Sequence, residues 1–496
     1  MSASKPVSAS QPVSAFSPRS MLLPLALAQF IASYACTNMN VAVSAIAKDL
    51  GTTVIGVQTA ITLFTLTMAA LMIPGSKLSD IFGRRRCFRG GLAVYGVGAL
   101  VAAFAPGVGV LVFGYSLLEG IGSALMIPPI YILVTVYTTD LASRAKGLGA
   151  ISASAGIGAA TGPLVGGLIT SALSWRASFL LQVLVVAAIF VMTRRIPDVR
   201  PEGARPGFDL TGAALTAAGL FCVVLGVLQS GTYGWLTATK DFSVGGVVLI
   251  HEGGISPVWL FVALGAIILA GYVRHASDLQ RGHREPLLSL DLFRNKTSNL
   301  GLVTQTVQWL FMQGSFFVIS VYLQTEQHHN AVETGLILTP ATAGILLASA
   351  FAGRLARRRT HRFLIRGGFI GALLGMALLL LAGPTSNIFA LVPGLLLMGI
   401  GIGVMLTASA NVVQSAFPDE KQGEISGLSR SASNLGSSLG TAIVGSVLVA
   451  SVSGHSYALA IAVMCVIALI GLGAAILLPA GPPRLPASDS TKRVVA

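Results

Sequence analysis

Fourteen long apolar segments occupy nearly the whole of this 496-residue chain. A helix needs roughly 20 mainly apolar residues to cross a bilayer. With 54% hydrophobic residues and 10% charged ones, a water-soluble domain is excluded, because so much apolar surface cannot all be hidden in a core. The sequence therefore predicts an all-α membrane protein. The fourteen predicted spans are residues 21–47, 54–74, 88–106, 108–133, 147–172, 176–193, 210–230, 257–273, 299–324, 332–352, 363–382, 387–411, 425–451 and 455–478.

The basic residues are sorted by loop. If the N-terminus is cytoplasmic, 29 of the 32 Lys and Arg lie on the inner side, and Lys48, Arg176 and Lys240 lie outside. This asymmetry follows the positive-inside rule. It predicts a multi-pass protein of the cell (inner) membrane with both termini cytoplasmic. The net charge of +14 is then explained by membrane topology. The expected partner is the lipid bilayer, and no nucleic acid is expected to bind.

Two features occur in the first half of the chain and again in the second. One is a basic loop after a span, at residues 76–86 and at residues 353–359. The other is a set of glycines near four-residue spacing within a span: Gly158, Gly162 and Gly166, and then Gly436, Gly440 and Gly445. The repeats align spans 1–6 with spans 9–14 and leave spans 7 and 8 as an insert, an organisation used by many secondary transporters. We expect a disordered cytoplasmic tail (1–20), an N-terminal six-helix half (21–193), a two-helix insert with an outer loop and cytoplasmic linkers (194–298), a C-terminal six-helix half (299–478) and a cytoplasmic tail (479–496).

One outer loop carries a hairpin pattern. Residues 242–250 place Gly245 and Gly246 between β-prone residues, which predicts a β-hairpin. Such a hairpin could touch substrate or a partner, or it could be an ordered connector.

Three motifs resemble those of a known transporter family. Residues 80–86 resemble the loop between spans 2 and 3 of the major facilitator superfamily, and residues 158–167 resemble its span-5 antiporter signature. Residues 174–180 resemble the start of span 6 in its 14-span drug:proton antiporter branch. The resemblance implies a bundle of two six-helix halves plus a two-helix insert. It also implies proton-coupled export of small amphipathic or drug-like compounds by alternating access.

The first motif supplies a candidate inner gate, formed by Asp80, Gly83, Arg84 and Arg85. A carboxylate where span 2 meets the cytoplasm can bind basic side chains or the N-terminus of a neighbouring helix, and so latch the two halves together. The arginines by themselves are explained by membrane topology.

The second motif supplies a candidate hinge and packing face: Gly158, Gly162, Pro163, Gly166 and Gly167. Glycines on one face of a helix let another helix approach closely. Proline removes a backbone donor and bends a helix.

Two proton-handling positions of the family are empty here. In span 4 the usual Arg is replaced by Ser116 and the usual Gln by Glu119, and in span 1 the usual acid is replaced by Ala35. Glu119 lies about twelve residues into span 4, where a charge costs several kcal/mol. Burial favours the protonated carboxyl, which would then load and release a proton near neutral pH. The hypothesis is that Glu119 takes over proton coupling; the alternative is a permanently protonated Glu that replaces a hydrogen-bonding Gln.

Polar and aromatic residues at helical spacing predict a substrate cavity. They are Tyr34, Thr37, Asn38 and Asn40 in span 1, Ser116 in span 4, and Gln305, Gln308, Trp309, Met312 and Phe316 in span 9. Rings and a carboxylate suit amphipathic or weakly cationic substrates. Hydrogen bonding between helices is the alternative role for each residue.

Other functional classes find less support. No nucleotide-binding, metal-binding or cofactor motif is recognised, and no nucleophile and base pair suggests an enzyme. The expected partners are a small-molecule substrate and protons. A substrate-specific transporter or facilitator without proton coupling remains open, because the span-1 acid and span-4 Arg are missing. A membrane scaffold that uses the outer hairpin is a third possibility.

Overall fold

The computed structural model describes residues 18–137, 141–195, 207–244, 247–356, 359–382, 387–417, 421–450 and 456–479. Most of the two predicted tails therefore lies outside the described residues. The elements are α1 Pro18–Val41, α2 Val43–Asp49, α3 Val54–Phe82, α4 Arg84–Ala103, α5 Val108–Leu111, a π-helical segment Val112–Glu119, α6 Gly120–Tyr137, α7 Leu141–Ala172, α8 Trp175–Met192, α9 Leu210–Tyr233, β1 Phe242–Val244, β2 Val247–Ile250, α10 Pro257–Arg281, α11 Lys296–Thr325, α12 Ala331–Ile337, α13 Thr339–Ala356, α14 His361–Ala382, α15 Val392–Gln414, α16 Gln422–Ala450 and α17 Ser456–Leu477. Short 3₁₀ turns lie at Thr193–Arg195, Leu290–Arg294 and Ile388–Ala390.

Each predicted span contains helix. Within the described ranges, eleven helices are long and apolar enough to cross a membrane, or twelve if α12 and α13, which meet at a 44° bend, form one span. Helices α4 and α16 are not among them. The first two turns of α4 contain four arginines, and α16 is rich in serine and glycine. The structure is thus an all-helical multi-pass membrane protein with eleven or twelve candidate spans.

The loop after span 2 is shorter than its sequence suggests. Helix α3 continues through Asp80 to Phe82, and α4 begins at Arg84. Gly83 alone separates them, with a φ of 98°, a conformation that glycine adopts without steric cost. The arginines of the motif therefore belong to the first turn of α4.

Helix packing repeats along the chain. We call α1–α8 the N-terminal group and α11–α17 the C-terminal group. Within them, α1 packs on α7 and α11 packs on α16. Between them, α3 packs on α16 and α7 packs on α12 and α13. The contact between predicted spans 1 and 5 therefore corresponds to the contact between spans 9 and 13. The contact between spans 2 and 13 corresponds to the contact between spans 10 and 5. Helices α9 and α10 pack on each other, and α9 also contacts α3 and α16.

The glycine repeat explains this symmetry. A Cβ added at Gly158 would overlap the backbone of Phe30 in α1. A Cβ added at Gly436 would overlap the backbone of Thr306 in α11. In each group, glycine therefore lets the fifth span approach the first closely, as small residues do at membrane helix contacts.

The predicted hairpin is confirmed. Strands β1 and β2 pair antiparallel, while Gly245 and Gly246 at its centre lie outside the described residues. Phe242 packs edge-on against Tyr233 of α9 and Phe261 of α10, with ring centroids 5.4 and 6.1 Å away. The hairpin is thus anchored on the insert, as expected for an ordered connector.

Residues 282–295, between α10 and α11, cross the bundle where α3 ends and α16 begins. Polar contacts that hold this segment include Lys77 Nζ to Glu285 Oε2 at 2.9 Å, the Leu287 N–H to Asp209 Oδ2 at 3.1 Å, and the Ser289 N–H to Glu424 Oε2 at 3.3 Å. It is therefore tied to both groups and to the insert.

Candidate substrate cavity and buried carboxyl

A small cavity lies between the two groups. Its volume is about 30 Å³, room for a water molecule or two. Its lining is Gln29, Ala32, Ser33, Cys36 and Thr37 of α1, Met68 of α3, Ile127 of α6, Ala159 of α7, Trp309 of α11, and Arg430, Ser433 and Asn434 of α16. A drug-sized compound fits only if the two groups move apart.

Contacts between the groups lie at both ends of the cavity. At the end that carries Asp80, Ser76 Oγ donates to the Gly423 carbonyl at 3.3 Å and Ser431 Oγ to the Ala69 carbonyl at 2.5 Å. At the opposite end, Gln58 Nε2 donates to the Thr441 carbonyl at 3.0 Å, Gln324 Nε2 to the Asn40 carbonyl at 3.0 Å, and the Val332 N–H to Ser171 Oγ at 3.1 Å. We call this arrangement, in which the two groups are in contact at both ends of the cavity, the closed state.

Two of the ten predicted cavity residues, Thr37 and Trp309, line this cavity. The other eight do not: Tyr34, Asn38, Asn40, Ser116, Gln305, Gln308, Met312 and Phe316. Met312 and Phe316 are buried in the apolar core.

Several of these eight side chains join helices. The Tyr34 hydroxyl and Asn38 Nδ2 both contact Ser178 Oγ of α8, at 2.7 and 2.8 Å. The Ser116 hydroxyl donates to the Ala60 carbonyl at 2.7 Å. Gln305 donates to Ser433 Oγ at 2.8 Å and accepts from Ser429 Oγ at 2.9 Å. These contacts match the alternative role, interhelical hydrogen bonding.

Some buried amides keep free hydrogen-bonding atoms within the described part of the chain. Both side-chain polar atoms of Asn40 and of Gln308 are buried without a partner, and so is Asn38 Oδ1. Most buried polar groups are hydrogen-bonded, so these amides can accept a water or another partner when the groups move.

Glu119 ends the π-helical segment and is completely buried. Neither carboxyl oxygen has a hydrogen-bond partner among the described residues. The neighbouring Tyr95 hydroxyl donates instead to Gln182 Oε1 at 2.5 Å. Glu119 does not line the cavity, but Cys36, which does, lies within its electrostatic range. The carboxyl therefore lies in the N-terminal group beside the cavity wall.

The residue in place of the missing span-1 acid lies in the same region. The Tyr115 hydroxyl donates to the Ala35 carbonyl at 3.0 Å, and Tyr115 is within electrostatic range of Glu119. Glu119 therefore lies in the same part of the N-terminal group as Ala35, the position at which the resemblance implies a span-1 acid.

Of the predicted gate residues, Asp80 lies next to the N-terminus of a helix of the other group. Asp80 Oδ1 lies 3.6 Å from Arg84 Nη2. Its Oδ2 lies 3.8 Å from a Cβ placed on Gly423, in the first turn of α16. A carboxylate at this position is stabilised by the helix dipole. Arg85 donates instead to the Arg194 carbonyl at 2.8 Å, so it ties α4 to the end of α8.

Helix α7 uses its glycines on two faces. A Cβ added at Gly166 would lie 2.8 Å from Asn38 Cβ of α1, whereas one at Gly167 would overlap the Ala331 carbonyl of α12. The helix runs without a break through Pro163. Its packing role is therefore visible, and a hinge at Pro163 stays a prediction.

The Ser-Trp-Arg motif also has a structural explanation. Trp175 Nε1 donates to Asp49 Oδ2 at 3.0 Å, and Arg176 pairs with the same carboxylate. Arg176 also donates to the Ala105 carbonyl at 2.9 Å. Its guanidinium is the main reason that the pKa of Asp49 lies below the ordinary value. The motif thus fastens the start of α8 to the end of α2 and to the loop between α4 and α5.

Sequence reasoning missed Arg430, which lines the cavity. Its guanidinium lies 4.6 Å from the ring centroid of Tyr131 and donates to the Tyr131 hydroxyl. Because Arg430 follows closely on the predicted start of span 13, it was counted with the inner charges. The run of serines around it, Ser429, Ser431 and Ser433, was the available signal for a polar helix face.

Two helix groups that pack around a central cavity are an architecture used by many secondary transporters. The chain belongs to the Major Facilitator Superfamily, whose family profile matches residues 25–441 and 301–495. The protein is therefore a membrane transporter of small molecules and not an enzyme.

Similar proteins include several with resistance or export in their names. The puromycin resistance protein pur8 of Streptomyces alboniger is 28% identical over 86% of this chain and 81% of its own length. The tetracenomycin C resistance and export protein of Streptomyces glaucescens is 29% identical over 87% and 76%. Among solved structures, a peptide transporter POT in complex with sulfate has a TM-score of 0.62 at 17% identity, covering 93% of this chain and 96% of that one. That likeness shows the fold alone.

Proposed function

We propose that this protein is a proton-coupled exporter of small amphipathic or drug-like compounds that works by alternating access. The names of its relatives support export. The closed cavity between two packed groups supports alternating access, because opening either end would expose the same lining to one side of the membrane.

The proposed architecture has fourteen spans: two six-helix halves, residues 21–193 and 299–478, around the insert 194–298. The matching contacts of α3 with α16 and of α7 with α12 support this division. The loop charges support cytoplasmic termini in the cell (inner) membrane, and the Asp80 end is then the inner end.

The observation that carries proton coupling is the burial of Glu119 with neither carboxyl oxygen hydrogen-bonded. An ionised carboxylate in such a completely buried place is expensive. We propose that the closed state holds a proton on Glu119 and that an open state, which admits water past Cys36, releases it.

The remaining roles follow from the contacts. Asp80, with Gly83 and Arg84, holds the inner end closed against α16, and Arg85 positions α4. The α7 residues Gly158, Gly162, Pro163, Gly166 and Gly167 form the packing face and hinge on which the halves move.

The test is accumulation in a bacterial strain that lacks its own multidrug pumps. Cells that express this protein are expected to hold less of a labelled amphipathic aromatic compound than control cells. A protonophore should abolish the difference. If expression changes no accumulation across a panel of acidic, neutral and basic compounds, the exporter proposal fails.

A second candidate is an uncoupled, substrate-specific facilitator. It is favoured by the cavity lining, which contains no Asp or Glu among its described residues. The same assay separates the two, because a facilitator lets compounds equilibrate but does not lower their concentration in the cell, with or without a protonophore.

A further inference from the structure

The cavity carries a positive charge. Of the described residues that line it, Arg430 is the one with a full formal charge. The other polar lining groups are amides and hydroxyls, such as Gln29, Ser433 and Asn434. An arginine that faces a cavity inside a membrane helix bundle is commonly functional.

Arg430 has no carboxylate partner in the described part of the chain. Its side-chain partner is the neutral Tyr131, through the hydroxyl and the ring face. Glu119 does not line the cavity. The guanidinium has five donors in a planar fork that fits a carboxylate, so its capacity to bind an anion is largely unused in the closed state.

The Arg430–Tyr131 contact joins the two groups, because Tyr131 lies on α6 and Arg430 on α16. Tyr131 is further held within the N-terminal group, where its hydroxyl contacts Gln29 Oε1 at 3.3 Å. When α6 and α16 separate, Arg430 loses its partner and faces the widened cavity. A substrate anion can then replace Tyr131.

We propose that Arg430 is the anion-binding residue of this cavity, and that the exported compounds are amphipathic aromatic acids and not cations. A single carboxylate or acidic phenol would pair with Arg430, while Trp309, Met68 and Ile127 would contact the aromatic skeleton. The inference rests on the proposed function for its transport step. It replaces the weakly cationic substrate that the sequence pattern favoured.

The test measures binding to the purified full-length protein in lipid nanodiscs. The probes are twenty aromatic skeletons, naphthalene and anthraquinone among them, each as carboxylic acid, primary amide and amine. Thermal stabilisation is expected at concentrations about tenfold lower for the acids than for the amines, because only the acids form a charge-assisted pair with Arg430. Arg430→Gln should remove the preference and Arg430→Lys should keep part of it. Arg281→Gln, on an exposed arginine paired with Asp278, is the matched control.

The inference is overturned if amines bind as well as acids, if no probe binds, or if Arg430→Gln retains the acid preference. The wild-type comparison of acids with amines needs no variant, so it decides the matter even if Arg430→Gln fails to fold. Proton-driven uptake of the same probes into everted vesicles separates the two claims. Arg430-dependent binding without uptake would support the inference and contradict the export proposal. Uptake of amines alone would support the export proposal and contradict the inference.

Discussion

The side-chain amide of Gln58 occupies the space that Gly445 leaves between α3 and α16. From there Gln58 Nε2 donates to the Thr441 carbonyl at 3.0 Å. A residue of the N-terminal group thus completes the backbone surface of the C-terminal group, at the end of the cavity opposite Asp80. The two groups can close at this end because Gly445 leaves space for the Gln58 side chain and because the Gln58 amide forms a hydrogen bond there.

Gly445→Ala is expected to displace Gln58 and break this contact. The flexible end of Gln58 can move away from the added methyl group, but a buried amide left without its hydrogen bonds costs about 1–3 kcal/mol. The unfolding temperature of the purified protein should therefore fall by several degrees. The double variant Gln58→Ala with Gly445→Ala should recover part of the loss, because the smaller side chain frees the space. Gly473→Ala, at a glycine with open space around it, is the control. Equal unfolding temperatures for Gly445→Ala and wild type would contradict this account.

Gly162→Ala tests the contact of α7 with α1. The added Cβ would overlap the Thr37 side chain and lie 3.0 Å from the backbone nitrogen of Asn38. We expect both stability and transport to fall, with a stability loss of about 1–3 kcal/mol. Gly156→Ala lies on the same helix and meets nothing within 4 Å, so it should behave like wild type. Thermal unfolding and transport rates are measured for both variants. Equal values for Gly162→Ala and Gly156→Ala would contradict the proposed contact of α7 with α1.

Asp80→Asn tests the inner gate. Loss of the charge removes a carboxylate–dipole interaction of about 0.5–2 kcal/mol, which should favour opening at this end. The reporter is Cys36, which lines the cavity, in a background where Cys87, Cys222 and Cys465 are replaced by Ser. A membrane-impermeant maleimide added from the Asp80 side should label Cys36 several-fold faster in Asp80→Asn. Asp278→Asn, at an exposed pair on α10, controls for surface charge, and unchanged labelling in Asp80→Asn would argue against the gate.

The sequence was sufficient for the fold class, a helical multi-pass membrane protein, because its signals are local. Its count of fourteen spans exceeds the eleven or twelve candidate spans among the described residues. Apolar runs of span length located every helix group, and the spacing of Gly158 and Gly436 revealed the repeat. The one-residue loop at Gly83 was not predictable, since polar residues of α3 remain helical where they meet neighbours such as Glu285, far away in the chain.

The site was less predictable, because which side of a helix faces a cavity is set by packing. Gln305 and Trp309 share a helical face, yet Trp309 reaches the cavity while Gln305 bonds to α16. The π-helical segment that ends at Glu119 shifts the helical register, and no sequence pattern marks it. The position of Arg430 near the start of α16 predicts an end-of-helix charge, whereas its contact with Tyr131 depends on the packing of α16 against α6.

Asp209 gives a pH-dependent prediction for the crossing segment. Burial raises the pKa of its carboxyl, but bonds from the Gly212 N–H, His275 and the Leu287 N–H outweigh burial and leave the pKa below its ordinary value. The carboxylate therefore stabilises the folded state above about pH 4, and this contribution is lost as the pH falls through the folded-state pKa. Asp209→Asn should lower the unfolding temperature by a constant amount between pH 8 and about pH 5. The gap should narrow below about pH 4, and a gap that widens in acid would refute the assignment.

The most direct test of the central claim is proton movement driven by substrate. Everted vesicles that hold a pH gradient are exposed to compounds that the protein binds, and the gradient is followed with a pH-sensitive dye for wild type and Glu119→Gln. The account predicts that wild type dissipates the gradient, whereas Glu119→Gln, which keeps the shape of the side chain but cannot release a proton, does not. Equal dissipation by both proteins would place the proton site elsewhere and contradict the role of Glu119.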